Sequence, residues 1–215
     1  MTRVKSCGIT NLDDARMASD LGAWAIGLIL WPESKRACPP DVAEEIGALL
    51  HRRLEITGVF VNATLDEVAL AADRFNLSLL QLHGDEGPAY CREAARRTGA
   101  KVMKAIRVKD AASIRDLDAF YTDFHLLDAY VPGHRGGTGE TFAWDLVRHH
   151  RGSVPVVLSG GLTPDNVAEA VAAVRPYAVD SASGTEASPG RKDPGLMEAF
   201  FNAVAEADER EPAQA

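Results

Sequence analysis

Two reactive side chains stand at the ends of apolar runs. Cys7 closes Val4-Lys5-Ser6-Cys7 just before Gly8, and Asp128 closes Phe124-His125-Leu126-Leu127-Asp128. A thiol and a carboxyl facing each other across one cavity suit general base and general acid work and need no metal. Each also has an ordinary reading, the cysteine as a small buried hydrophobe and the aspartate as the cap of a local turn. A carboxylate ending an apolar strand is nevertheless costly unless it meets solvent, a partner or a substrate. Arg36 lies in the proline-broken loop 31–40 beside Lys35, and pattern alone does not choose between the two. His83 closes Leu79-Leu80-Gln81-Leu82, where a histidine is as often a hydrogen-bonded support as a catalyst. Two further joints are built from small residues. Val156-Val157-Leu158-Ser159 stops at Gly160-Gly161, and Ala178-Val179-Asp180 runs into Ser181-Ala182-Ser183-Gly184-Thr185-Glu186. Without a Cβ in the way, backbone N–H groups can approach an anion, and a helix N-terminus adds positive potential.

These residues need a scaffold that gathers strand ends. Segments 4–7, 23–30, 56–61, 79–82, 101–106, 124–128, 156–159 and 178–180 read as strands. Helical patterns fill 12–21, 41–51, 65–75, 86–97, 110–120, 144–149, the stretch after Thr163 or Asp165 as cap, and 194–205. Eight strand–helix alternations predict a single (β/α)8 barrel over residues 1–205, with a flexible C-terminal tail over 206–215. A doubly wound open sheet is the alternative, but it usually needs fewer repeats. In such a barrel the site lies at the C-terminal ends of the strands, and a phosphate site follows strands 7 and 8. Cys7, Asp128, Arg36, His83, Gly160, Gly161, Ser183 and Gly184 all fall at that end. Cys38 falls in a loop and Cys91 in a helix, and both read as structural.

Composition narrows the class. The 215 residues carry a net charge of −8, so a nucleic-acid footprint is not expected, and an anionic substrate must be held by local groups. Three scattered cysteines make neither a disulfide framework nor a metal motif, which fits a reducing cytoplasm. No metal-ligand cluster and no signal peptide are legible. The longest apolar run, 21–31, is too short to span a bilayer, so no membrane partner is expected.

Several stretches together resemble the phosphoribosylanthranilate isomerase family of tryptophan biosynthesis. They are Val4-Lys5-Ser6-Cys7-Gly8-Ile9-Thr10, Gly58-Val59-Phe60-Val61-Asn62 and Leu80-Gln81-Leu82-His83-Gly84-Asp85-Glu86. Leu127-Asp128, Gly136-Gly137-Thr138-Gly139 with Phe142 and Trp144, Leu158-Ser159-Gly160-Gly161-Leu162, and 180–186 with Pro189-Gly190-Lys192-Asp193 continue the likeness. Ser159-Gly160-Gly161 alone is shared by many phosphate barrels; the ordered set is specific. The resemblance implies a cofactor-free Amadori rearrangement of N-(5-phosphoribosyl)anthranilate by a cytoplasmic monomer or homodimer. It makes Asp128 the general acid that opens the sugar and Cys7 the base that removes the C2 proton, and it gives Arg36 the anthranilate carboxylate. The acid must arrive protonated, which burial would favour, and a thiolate serves as carbon base when its pKa is lowered.

Three positions depart from the family pattern. Ser6 replaces an aliphatic residue and, by strand alternation, is expected to face away from the mouth. Ala143 and Ala182 replace a common aspartate and serine. Two competing readings are other phosphate barrels, such as indole-glycerol-phosphate synthase or aminoimidazole-carboxamide ribotide isomerase, and a non-catalytic sugar-phosphate binder. The first would want a lysine with glutamates, or paired aspartates, at strand ends; the second would bind without turnover.

Overall fold

The computed structural model describes residues 1–128 and 142–209, with residues 142 and 143 described by their backbone alone. The glycine-rich stretch 136–139, the rest of the loop 129–141 and the chain from 210 onward lie outside the described residues.

Eight strands close into one parallel barrel in sequence order: β1 (Arg3–Cys7), β2 (Ala25–Ile29), β3 (Glu55–Phe60), β4 (Leu79–Leu82), β5 (Lys101–Arg107), β6 (Phe124–Asp128), β7 (Val156–Ser159) and β8 (Ala178–Ser181). The last strand pairs with the first, Lys5 opposite Asp180. The helices are α1 (Leu12–Asp20), α2 (Pro40–Leu50), α3 (Leu65–Arg74), α4 (Pro88–Thr98), α5 (Ala111–Arg115), α6 (Phe142–Leu146), α7 (Val167–Val174) and α8 (Pro194–Glu209). The expected closed barrel is therefore the observed fold.

Strand alternation divides the core. Ile26, Leu28, Ile56, Phe60, Leu80 and Leu82 face helices on one side of the barrel, while Val4, Leu127, Leu158 and Val179 face them on the other. The intervening positions point inward. Leu79, Met103, Phe124, Leu126, Val157 and Ala178 pack with Trp24 and Tyr177 into an apolar plug. Trp24, Phe124 and Tyr177 sit with ring centroids 5.1–5.4 Å apart, a geometry that adds specific aromatic contacts to the buried area. Ser6 shares its parity with helix-facing Val4 and so points away from the interior, as expected.

Several local expectations change. Helix α4 begins at Pro88 rather than at 86, because Glu86 is drawn inward to pair with Lys104. Helix α5 is a single turn that continues as a 3-10 turn over Asp116–Ala119, and α6 likewise passes into Val147–His149. The N-cap of α7 is Asn166, not Thr163 or Asp165; its Oδ1 accepts from the Thr163 N–H at 2.8 Å and so orders the turn before the helix. After β8 the chain makes a short hairpin, β9 (Glu186–Ser188) with β10 (Arg191–Lys192), before α8, which runs to Glu209 rather than ending at 205.

Candidate active site

The C-terminal ends of the strands bring the sequence candidates to one mouth, and two buried ion pairs frame it. On the β1 side, Cys7 is buried and lies in register with Gly27. A Cβ on Gly27 would sit 2.6 Å from Cys7 Sγ and 3.1 Å from Lys5 Nζ, so β2 must offer glycine there. Lys5 Nζ donates to Asp180 Oδ1 at 2.8 Å, and Ser159 Oγ donates to Asp180 Oδ2 at 3.2 Å. The thiol is not lowered, as a ready-made thiolate would require. Burial pushes it above its ordinary value, and Lys5 and Lys192 pull the other way while Asp180 adds to the rise. Cys38 behaves as a structural cysteine, its thiol pushed up to about 12 by burial and by Asp41.

Arg36 does reach the mouth, and Lys35 is not its equivalent. Arg36 Nε and Nη2 grip Glu186 in a fork, at 2.8 and 3.0 Å from Nε and 2.7 Å from Nη2. Those hydrogen bonds raise the guanidinium pKa. One edge of the fork expected to be available for a substrate carboxylate is thus already engaged; the Nη1/Nη2 edge remains, since a guanidinium carries five donors. Glu186 also accepts from the Gly190 N–H at 3.3 Å and lies 3.9 Å from Lys192 Nζ. Lys192 donates to Ala182 O at 2.8 Å and to Thr185 Oγ1 at 3.1 Å, and burial lowers its pKa. The hairpin after β8 is the element that sequence reading missed, and it carries both of these charged residues.

On the opposite side, Asp128 ends β6 with its side chain 24% exposed, so it is not buried as its acid role led us to expect. His83 Nε2 lies 3.7 Å from Asp128 Oδ2. Its other nitrogen, Nδ1, is 3.1 Å from Gln81 Nε2. The turn behind His83 is fastened by Lys104 Nζ, which donates to Gly84 O at 2.7 Å and to Glu86 Oε2 at 2.9 Å. Glu86 in turn accepts from the N–H groups of Asn62 and Gly84 at 2.7 and 2.8 Å.

The two small-residue joints lie side by side. Gly160 and Gly161 have φ of 101° and 66°, a region that L side chains avoid. A Cβ on Gly184 would stand 1.9 Å from Leu162 O, and Ser181 Oγ donates to the same carbonyl at 2.9 Å. The glycine at 184 is therefore required by contact with the neighbouring joint. Among the described residues none is seen to accept a hydrogen bond from the N–H of Gly160, Gly161 or Gly184. The described residues contain no cluster of three or more His, Cys, Asp and Glu side chains able to hold a metal, and no helix long and apolar enough to cross a membrane.

A closed parallel barrel whose strand ends gather a thiol, a carboxyl, an arginine fork and two glycine joints has the layout of a (β/α)8-barrel enzyme. The family model described as N-(5'phosphoribosyl)anthranilate (PRA) isomerase matches residues 4–203, and the chain belongs to that family. The N-(5'-phosphoribosyl)anthranilate isomerase of Citrifermentans bemidjiense is 51% identical over 194 residues, 90% of this chain and 92% of the relative. The solved phosphoribosyl anthranilate isomerase of Thermotoga maritima superposes with a TM-score of 0.84 at 39% identity, covering 96% of this chain and all (100%) of its own. A solved enzyme of the same name, in complex with reduced 1-(o-carboxyphenylamino)-1-deoxyribulose 5-phosphate, gives 0.82 at 38% identity, covering 96% of this chain and 100% of its own.

Proposed function

We propose that this isomerase converts N-(5-phosphoribosyl)anthranilate to 1-(2-carboxyphenylamino)-1-deoxyribulose 5-phosphate in tryptophan biosynthesis, with Asp128 as general acid and Cys7 as general base. The observation that carries the reading is the placement of these two groups at the C-terminal ends of β6 and β1, facing one mouth. The names of its relatives, and the compound held by one of them, support the substrate class.

The proton flow is self-contained. Protonated Asp128 gives its proton to the furanose ring oxygen as the C1–O bond breaks, and the anilino nitrogen lone pair forms a C1=N iminium. The Cys7 thiolate takes the proton from C2, and that bonding pair becomes the C1=C2 bond of an enolamine. The C2 hydroxyl then gives up its proton while C1 gains one, leaving the ketone. No atom or electron enters from outside, so the scheme calls for no cofactor. The raised thiol fits this order of events. The iminium brings a positive charge next to the sulfur at the step where the thiolate is needed, and a nearby cation favours the ionised thiol.

Binding follows the same geography. Backbone donors at Gly160, Gly161, Ser183 and Gly184 receive the phosphate. The outer edge of Arg36 takes the anthranilate carboxylate, and His83 contacts the sugar beside Asp128. The protein acts in the cytoplasm as a monomer or homodimer; one solved structure is of monomers generated from the dimeric Thermotoga maritima enzyme.

The test follows the fluorescence of freshly made phosphoribosylanthranilate after addition of the purified protein. Rapid loss that needs no added metal or cofactor is expected. Tight binding of the compound without turnover would instead favour a sugar-phosphate binder.

A further inference from the structure

The barrel interior beneath Cys7 holds a charge for which the proposed chemistry has so far named no use. Lys5 lies two residues before Cys7 on β1, so both side chains point inward. It is wholly buried, with 0% of its surface exposed, and an ammonium in such a place is costly unless it is paired. Asp180, reaching in from β8, supplies the pair, and Ser159 from β7 occupies the second oxygen of that carboxylate. Asp180 accepts from Lys5, which has three protons to give, and the Cys7 sulfur is a further side-chain hydrogen-bond partner of the ammonium. The space over Gly27 is shared by Lys5 Nζ and Cys7 Sγ, with no side chain from β2 between them.

We propose that Lys5 is a positioning residue for this reaction: its ammonium, braced by Asp180, holds the Cys7 sulfur in place and stabilises the thiolate that takes the C2 proton. This rests on the reading of Cys7 as the base. The charged groups facing the sulfur are Lys5 from its own strand, Asp180 from β8, Lys192 from β10 and Arg36 from the loop after β2, the last held by Glu186 of β9. Lys5 is suited to the role because it stays charged. Burial is the largest influence on it and pulls its pKa down, yet Asp180 and Cys7 together hold it above the ordinary lysine value. The ammonium therefore opposes the rise that burial imposes on the thiol.

A pair that merely filled the barrel would leave the thiol's titration alone when exchanged for neutral groups of similar shape. The test uses two variants. Asp180→Asn removes the competing carboxylate and leaves sulfur as the main counter-charge for Lys5. The double variant Lys5→Met/Asp180→Asn removes both charges and leaves neither one unpaired. Thiolate absorbance is titrated in each intact protein, with Cys7→Ala in the same background as the blank, and the acidic limb of kcat/KM is recorded in parallel. Asp180→Asn should lower the Cys7 transition below the parent. The double variant should titrate higher than Asp180→Asn by ~1 unit or more, the scale of one neighbouring charge. Coincident titrations of all three proteins, or shifts of both variants in the same direction by the same amount, would overturn the role of Lys5. Turnover by Cys7→Ala strikes the base assignment instead, so the two readings fail separately.

Discussion

Both sides of the mouth rest on a buried lysine–carboxylate pair, and the two pairs are built differently. Lys104–Glu86 has side-chain exposures of 4% and 2%, and Lys5–Asp180 of 0% and 5%, so burial does not separate them. Their other partners do. Glu86 accepts from two backbone N–H groups and Lys104 also donates to a backbone carbonyl, so that pair stitches the ends of β3 and β4 to β5. Lys5–Asp180 touches no backbone group in its hydrogen bonds; its further contacts are the Ser159 hydroxyl and the Cys7 sulfur. A buried charge pair saturated by main chain fixes geometry, whereas one with a donor to spare sets the field at its neighbour. The first pair stands behind His83 and the second beneath Cys7.

This contrast can be broken in stages. The largest expected effect lies at the reacting groups: Cys7→Ala and Asp128→Asn should each lower kcat by ~10²–10⁴-fold, the usual worth of a general base or acid, with melting temperature nearly unchanged. Parent-like turnover by either variant would remove that residue from the chemistry. Next comes the stitching pair. Glu86→Ala strands the Lys104 ammonium and should cost about 3–5 kcal/mol of stability in urea unfolding. The kcat of the molecules that remain folded should change far less than in Cys7→Ala, and a ~10²-fold fall in that kcat, the worth of a general acid or base, would mean that the pair does more than hold loops. The smallest effect concerns Arg36. Replacing it by methionine would also orphan Glu186, so Arg36→Lys is the cleaner change: it keeps the charge but loses the planar fork and its parallel donors. Binding of a carboxylate-bearing product analogue should weaken by roughly 10-fold or more, equivalent to one charged hydrogen bond, while inhibition by inorganic phosphate stays nearly constant. Equal losses for both ligands would take Arg36 out of carboxylate recognition.

Much of the frame was legible from pattern. The apolar runs ending in Cys7, Asp128 and Ser159 marked strands whose C-terminal ends share one face, and closure in order followed from eight repeats. What stayed hidden had physical reasons. Lys5 reads as an ordinary strand lysine unless its parity with Cys7 is noticed, because burial of a charge depends on a partner 175 positions away. The hairpin β9–β10 has only three and two residues in its strands, too short for a period to show, yet it delivers Glu186 and Lys192. Glu86 looks like a helix-starting acid, and nothing local announces that it turns toward Lys104. Asn166, Asp165 and Thr163 are all acceptable caps, so composition could not choose among them. At Gly184 a second reason for the residue type was hidden, since the carbonyl of Leu162 excludes a side chain there.

The bond from Lys5 to Asp180 also bears on how the barrel closes. One partner stands on the first strand and the other on the last, and the Thr2 hydroxyl donates to Asp208 across 206 positions. Contacts of such long separation form late, after the local βα units. Until β8 arrives, a barrel closed by fewer strands would have to bury a bare ammonium at its centre, which is strongly unfavourable. The first strand thus disfavours a barrel closed without the last, and Lys5 meets its counter-charge only when β8 is in place.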